Sequence, residues 1–330
     1  MRNRMKVIAI TFAILLASAN APAQTAGVSL KPILKPGQEA RYSLNGSVDT
    51  QITAAGVNGI SGAEHRELSA TLLLRAGVPA PPTVSKNGSQ TAETTVVGTG
   101  LPYSKESYGV DAGGPSKDVI YYEATIEAYD VRLTVNGVDS PSNVKSAVGQ
   151  KIAFALDSAG HIVKCAVPVE ALKEGLAGLL FSMLGWAPAA PLEVGQTWGN
   201  HPGQDSLVSS YDYISAAALS DVPKSAQTAY TFSALNGSRA VVEGAITLRQ
   251  EGASMVEIPA AQTKVNLMAS GNGTTRIEYD VATNRMASAV SESLLKGRVV
   301  HIPPTREGEK MQPREGALVE TAKFSIKLVQ

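Results

Sequence analysis

Apolar and polar residues alternate with a period of two over much of this chain, the pattern of strands with one buried face and one solvated face. Leu68, Ala70, Leu72 and Leu74 fall on one side, while Glu67, Ser69, Thr71 and Arg75 fall on the other. At the carboxy-terminal end Phe324, Ile326 and Leu328 oppose Lys323, Ser325 and Lys327, which predicts another half-buried strand. The run Ile120 to Val135 is long for one strand, and its apolar phase changes. Ile120, Tyr122, Ala124 and Ile126 share one phase, whereas Val131, Leu133 and Val135 share the other, so a bulge or bend is expected near Ala128 to Asp130. Long bent strands suit a curved antiparallel sheet.

Six Asn-Gly dipeptides, at Asn45, Asn58, Asn87, Asn136, Asn236 and Asn272, read as hairpin punctuation, because the pair favours turns with positive φ at both central residues. One segment departs from the two-residue period. Between Val169 and Leu184 the residues Leu172, Leu176, Leu179, Leu180 and Met183 form an apolar stripe, preceded by Pro168 and ended by Gly185, which predicts a helix packed on the sheet. Its polar side carries only Glu170, Lys173 and Glu174, too few basic groups for a lipid-surface helix. Residues 77 to 117, rich in Gly, Pro, Ser and Thr, read as a long surface excursion apart from Thr94 to Val97.

Sequence on the two sides of the expected helix is loosely duplicated. Lys35-Pro36-Gly37-Gln38 leads into Arg41-Tyr42, as Val194-Gly195-Gln196 leads into Thr197-Trp198. Tyr122 to Ile126 has a counterpart in Val242 to Ile246, and the turn from Phe154-Ala155-Leu156-Asp157 into Ile162-Val163 matches that from Ile277-Glu278-Tyr279-Asp280 into Met286-Ala287. The expected organisation is therefore a signal segment (1–23), a first β half (24–167) holding the 77–117 excursion, the helix and its connection (168–190), and a second β half (191–330).

The signal segment sets the compartment. Arg2, Arg4 and Lys6 precede an uncharged apolar run from Val7 to Ala17, and Ala21-Pro22-Ala23 places small residues at cleavage positions. That run is too short to span a bilayer comfortably, so an exported chain beginning near Gln24 is expected, soluble and periplasmic or extracellular, with no transmembrane segment. Cys165 is the only cysteine, which excludes an intramolecular disulfide. With the three basic signal residues removed, 26 basic residues face 29 acidic ones, a net charge of −3. Nothing in that balance, and no basic run with interleaved aromatics, suits a nucleic-acid partner. An outer-membrane barrel is disfavoured by a chain with five Phe and two Trp, since its membrane girdles are aromatic.

The signal peptide, the Lys35-Pro36-Gly37-Gln38 strand start, the Asp157 to Val163 hairpin, Pro191 to Trp198 and the Asp280 to Met286 hairpin together resemble a group of secreted β-rich bacterial proteins. This resemblance implies an exported bacterial protein and no particular activity. More distantly, hairpins of the Asp-x-x-Gly-x-Ile-Val kind resemble those of periplasmic lipoprotein carriers, whose open half-barrel holds acyl chains; that likeness concerns fold alone.

The search for chemistry finds little. His65, in Glu64-His65-Arg66-Glu67, reads as part of a solvated charged edge, and His201, next to Pro202, and His301, two residues before Pro303, read as loop-like sequence without metal-ligand spacing. His161 and Cys165 share a strand at i and i+4, about 13 Å apart, too far for one ion. Cys165 reads instead as a small buried apolar residue. No nucleophile elbow, zinc motif, calcium loop or phosphate-binding glycine loop is present, so no catalytic residue, cofactor or metal is assigned. Trp186 and Trp198 flank a proline-rich connection and either line a ligand cleft or pin that connection to the core. The reading that follows is a mainly β protein, a sandwich or half-barrel, binding an apolar or amphipathic ligand such as a lipid in a sheet concavity. A cell-envelope adaptor holding a protein partner through Tyr103 and Tyr108 is the alternative, and a hydrolase assembled from distant loops the second.

Overall fold

The computed structural model describes residues 27–31, 34–54, 61–78, 94–96, 119–140, 147–156, 162–168, 186–188, 190–199, 222, 224–258, 261–302 and 312–329. The segment read as a signal, most of the expected 77–117 excursion and the predicted helix lie outside them. Among the described residues thirteen strands form: β1 (Glu39–Ala54), β2 (Gly62–Ala76), β3 (Thr94–Val96), β4 (Ile120–Val135), β5 (Val138–Ser140), β6 (Lys151–Leu156) and β7 (Ile162–Pro168) come first. They are followed by β8 (Thr197–Gly199), β9 (Lys224–Asn236), β10 (Arg239–Ile258), β11 (Ala261–Asp280), β12 (Arg285–Ile302) and β13 (Arg314–Val329).

All belong to one antiparallel sheet with the order β3-β7-β6-β4-β2-β1-β13-β12-β11-β10-β9-β8, β5 adding to β4. Two meanders thus run outward from a central seam, where β1 pairs with β13 from Arg41↔Val329 to Ala54↔Gly316. The alternation read from sequence holds at both places. Leu68, Ala70, Leu72 and Leu74 are buried on β2, and Phe324 and Ile326 on β13. The phase change on β4 is a bulge: Thr71 pairs with Ala128 and Leu72 with Ile126, leaving Glu127 as the extra residue. Tyr122, Ala124 and Ile126 face inward before it, Tyr129 and Val131 after it. Glu127 points outward and accepts two hydrogen bonds from Arg41, Nε to Oε2 at 2.7 Å and Nη2 to Oε1 at 2.9 Å.

Three strands start from one device. In Lys35–Gln38 and Glu193–Gln196 the glycine has φ of 84° and 93°, and the Gln side-chain oxygen accepts from the backbone N–H three residues earlier at 2.9 and 3.0 Å. The glycine N–H donates to the neighbouring strand (Ala76 O, Phe232 O), and that strand's N–H returns to the Gln carbonyl. Ala147-Val148-Gly149-Gln150, ahead of β6, repeats the backbone pattern with φ of 85°. A positive φ at this place suits glycine because it has no Cβ to collide with its own carbonyl.

The Asn-Gly pairs divide. Asn136-Gly137 (φ 52° and 80°) turns β4 into β5, and Asn236-Gly237 turns β9 into β10, as expected. Asn45 and Asn272, by contrast, lie inside β1 and β11. Their glycines serve close approach instead of turning: a Cβ on Gly46 would sit 2.5 Å from the Phe324 ring, and one on Gly273 would sit 2.4 Å from the Glu292 carbonyl. Asn58 and Asn87 lie outside the described residues.

The inner face is rolled. Lys224 on β9 and Glu320 on β13 lie four strand intervals apart, about 19 Å along a sheet with ~4.8 Å between strands. Their Nζ and Oε1 nevertheless meet at 2.7 Å, with the side chains 0% and 6% exposed. On a flat sheet these side chains would stand parallel and never meet, so β9 to β13 must curl about their inner face.

Candidate functional site

Two apolar clusters lie along the rolled inner face. The larger gathers Tyr42, Leu44, Leu72, Tyr122, Phe154, Trp186, Phe232, Val242 and Tyr279 from both meanders. The second gathers Ile52, Ala226, Leu248, Val265, Leu267, Leu295, Val299 and Leu318, mostly from the second meander, with Val222 seated on it. Between β3 and β8, the two ends of the strand order, no pairing is formed among the described residues. The interior is thus bounded by an open roll.

A strap of chain closes the larger cluster. Val28 and Leu192 exchange backbone hydrogen bonds at 2.7 and 2.9 Å, forming an isolated antiparallel bridge. From there Leu30 and Leu34 bury themselves in the core. The Tyr122 hydroxyl on β4 donates to the Leu34 carbonyl at 3.1 Å, and the Tyr279 hydroxyl on β11 donates to the Lys31 carbonyl. The strap is therefore tied to both sides of the central seam by tyrosines reaching up from the inner face. Tyr122 stacks on Phe154 with centroids 5.1 Å apart, and Tyr279 takes the edge of Trp186 at 5.8 Å. Burial holds three of the inner tyrosines in the neutral form: Tyr42 is pushed up to about 12, and Tyr122 and Tyr279 are raised as well.

The structure brings Trp186 and Trp198 together. The Trp198 Nε1–H donates to the Trp186 carbonyl at 2.8 Å, and Trp198 stacks on Tyr230 with centroids 5.5 Å apart. Trp186 is 2% exposed and Trp198 half-buried, so the pair fastens the 186–198 connection to the core beside the strap. Tyr103 and Tyr108 lie outside the described residues, as do His161 and His201. Cys165 sits on β7 opposite Phe154 of β6.

His65 lies on the outer face with Nδ1 2.6 Å from Asp49 Oδ1 and Nε2 3.4 Å from Glu67 Oε1. The hydrogen bond with Asp49, then that with Glu67, raises its pKa. Both ring nitrogens are engaged by carboxylates, which leaves neither to take a proton from a nucleophile. His301, read as loop-like from the nearby Pro303, is instead the penultimate residue of β12 and buried; burial first, then Arg314, lowers its pKa. Among the described residues no group of three His, Cys, Asp or Glu side chains is placed to hold a metal ion, and no helix is long and apolar enough to cross a membrane.

Two grooves open away from the inner face. One, of about 470 Å³, crosses the outer side of the central strands between Asn45, Ser69, Asp130, Arg132, Val290 and Lys323. The other, of about 420 Å³, lies at the rim between Arg41, Leu73, Asp280 and Arg285.

The buried Lys224–Glu320 pair belongs to no motif, yet the sequence carries a signal for it. Lys224 shares the inward phase of Ala226, Thr228, Tyr230 and Phe232, and Glu320 that of Leu318, Ala322 and Phe324. Two opposite charges, each alone on an apolar phase, are a pattern that points to a buried partner. The third Gly-Gln turn, at Gly149-Gln150, was equally visible in the sequence.

No family model matches the chain, and no curated protein matches its sequence. Among solved structures, lipovitellin, described for its lipid–protein interactions, is similar at a TM-score of 0.43 and 12% identity, covering 90% of this chain and 26% of that one. The chain thus spans about a quarter of the lipovitellin chain. The Pseudomonas putida toluene transporter TodX aligns at a TM-score of 0.13 and 8% identity, covering 92% of each chain. At TM-scores of this size neither likeness extends to function.

Proposed function

We propose that the protein is a non-catalytic carrier that holds an apolar or amphipathic molecule, such as a lipid, against the concave face of its rolled sheet. The observation that carries this reading is the open roll itself: two apolar clusters on one inner face, in a sheet whose ends β3 and β8 are not paired with each other. A closed barrel fixes its interior, whereas an open roll widens when its edges part. The strap and Trp186 lie where an acyl chain entering the larger cluster would lie. Trp186 and Trp198 are then the aromatic side chains it meets first.

The two meanders are read as a loosely duplicated pair, since the same Gly-Gln turn starts the first strand of each, β1 and β8. The segment 169–184 is read as a helix over the inner face, and export is read from residues 1–23.

Titration of residues 24–330 with a fluorescent polyene fatty acid tests the carrier. Burying about fourteen methylenes at ~0.8 kcal/mol each gives roughly 11 kcal/mol, from which association removes several, so a Kd near 1 μM is expected. Absence of saturable binding up to about 100 μM, weaker than about 5.5 kcal/mol, overturns the proposal.

A further inference from the structure

We propose that the strap bearing Leu30 and Leu34 is an internal competitor of the ligand, occupying the larger apolar cluster in the empty protein and leaving it when an acyl or similar apolar chain enters. This rests on the carrier reading above. Three features of the strap carry it. Its two leucines are fully buried among Tyr122, Phe154, Trp186 and Tyr279, so they fill the inner face with aliphatic groups of the kind an acyl chain supplies. Among the described residues, 28–31 and Leu34 lie in no strand of the sheet, and the β-bridge there is the isolated pair Val28↔Leu192. The tyrosine hydroxyls grip it by backbone carbonyls, Lys31 O and Leu34 O, so the grip does not depend on the strap's side chains. Such a segment opens locally without unzipping the thirteen-stranded ladder. When it leaves, the Tyr122 hydroxyl loses the Leu34 carbonyl and the Tyr279 hydroxyl keeps only Asn284 Oδ1 at 3.3 Å, so the polar end of an amphipathic ligand can accept from both in place of the two carbonyls.

The test locks the strap. Val28 and Leu192 exchange both N–H···O bonds, and such a pair holds its Cα atoms about 5.5 Å apart, within the range a disulfide spans. In a Cys165→Ser background, Val28→Cys with Leu192→Cys is purified oxidised and reduced, and each form is titrated with the polyene fatty acid. The disulfide is verified by mass. Oxidation is expected to weaken binding at least tenfold and reduction to restore the affinity of the Cys165→Ser parent. Equal affinities in the two forms, with a parent that binds, overturn the competitor and leave the carrier standing. A parent that binds no probe overturns the carrier and the competitor together. As a second variant Leu30→Ser, which loosens the strap, is expected to tighten binding several-fold; weaker binding by a folded variant also overturns the proposal.

Discussion

Replacing Lys224 by Met removes one partner of a buried ion pair, and the cost follows from the geometry. At 2.7 Å and an effective dielectric near 20, the attraction between the charges is about 6 kcal/mol, of the order of the several kcal/mol each ion loses on leaving water. The pair is therefore near balance, while either charge alone is not. Lys224→Met leaves the Glu320 carboxylate enclosed beside Leu318, Leu295 and Ile52, and Glu320→Leu leaves the ammonium enclosed beside Ala226 and Leu248. Each single substitution is expected to cost about 3–5 kcal/mol, a large share of a typical 5–15 kcal/mol stability. The double variant Lys224→Met/Glu320→Leu is expected within about 2 kcal/mol of the parent, on either side. Urea unfolding followed by circular dichroism, with all four proteins fitted together, yields the coupling energy. Two single costs below about 1 kcal/mol that simply add would mean solvated, independent charges, and β9 would not curl toward β13.

Other outcomes follow from the same contacts. Gly195→Ala places a Cβ on a residue with φ of 93° and open space around it, so backbone strain alone should lower stability by about 1–2 kcal/mol, read as a shift in the urea midpoint. Tyr122→Phe strips one hydroxyl from the Leu34 carbonyl and should cost about 1 kcal/mol, with faster amide exchange in the strap; unchanged exchange would show that the tyrosine does not hold it. Burial raises Tyr42 to about 12 and raises Tyr122 and Tyr279, whereas unfolded tyrosine titrates near 10. Their contribution is fully present below pH 10 and is lost as pH rises through the range above it. Stability should therefore fall with increasing steepness above pH 10, and these phenols should ionise together with unfolding in an ultraviolet titration. Arg41→Ala, by contrast, removes an exposed pair with Glu127 and should leave the urea midpoint almost unchanged.

The strands were legible because alternation is a local property. The reversal on β4 showed in the sequence because one extra residue, Glu127, switches the inward positions from even numbers (Tyr122, Ala124, Ile126) to odd ones (Tyr129, Val131). The Asn-Gly pairs show where local reading ends. Asn136-Gly137 turns the chain, while Asn45-Gly46 and Asn272-Gly273 continue straight on, and what separates them is a neighbour far away in sequence: Phe324 over Gly46, the Glu292 carbonyl against Gly273. The roll was hidden for the same reason. Lys224 and Glu320 are 96 residues apart, and only the strand order shows that their meeting requires curvature. The strap carried no signature, because Tyr122 and Tyr279 grip backbone carbonyls, which every residue offers. Trp186 and Trp198 were singled out from the sequence, but the carbonyl that links them was not.

The carrier reading is tested most directly by weighing the protein as it comes from the cell. Residues 24–330, exported and purified without detergent, are compared by native and denaturing mass spectrometry, and the solvent extract is analysed. The account predicts a lipid-sized mass lost on denaturation and recovered in the extract. A well-folded protein that carries no such mass, and acquires none when incubated with phospholipid vesicles or fatty acid, contradicts it.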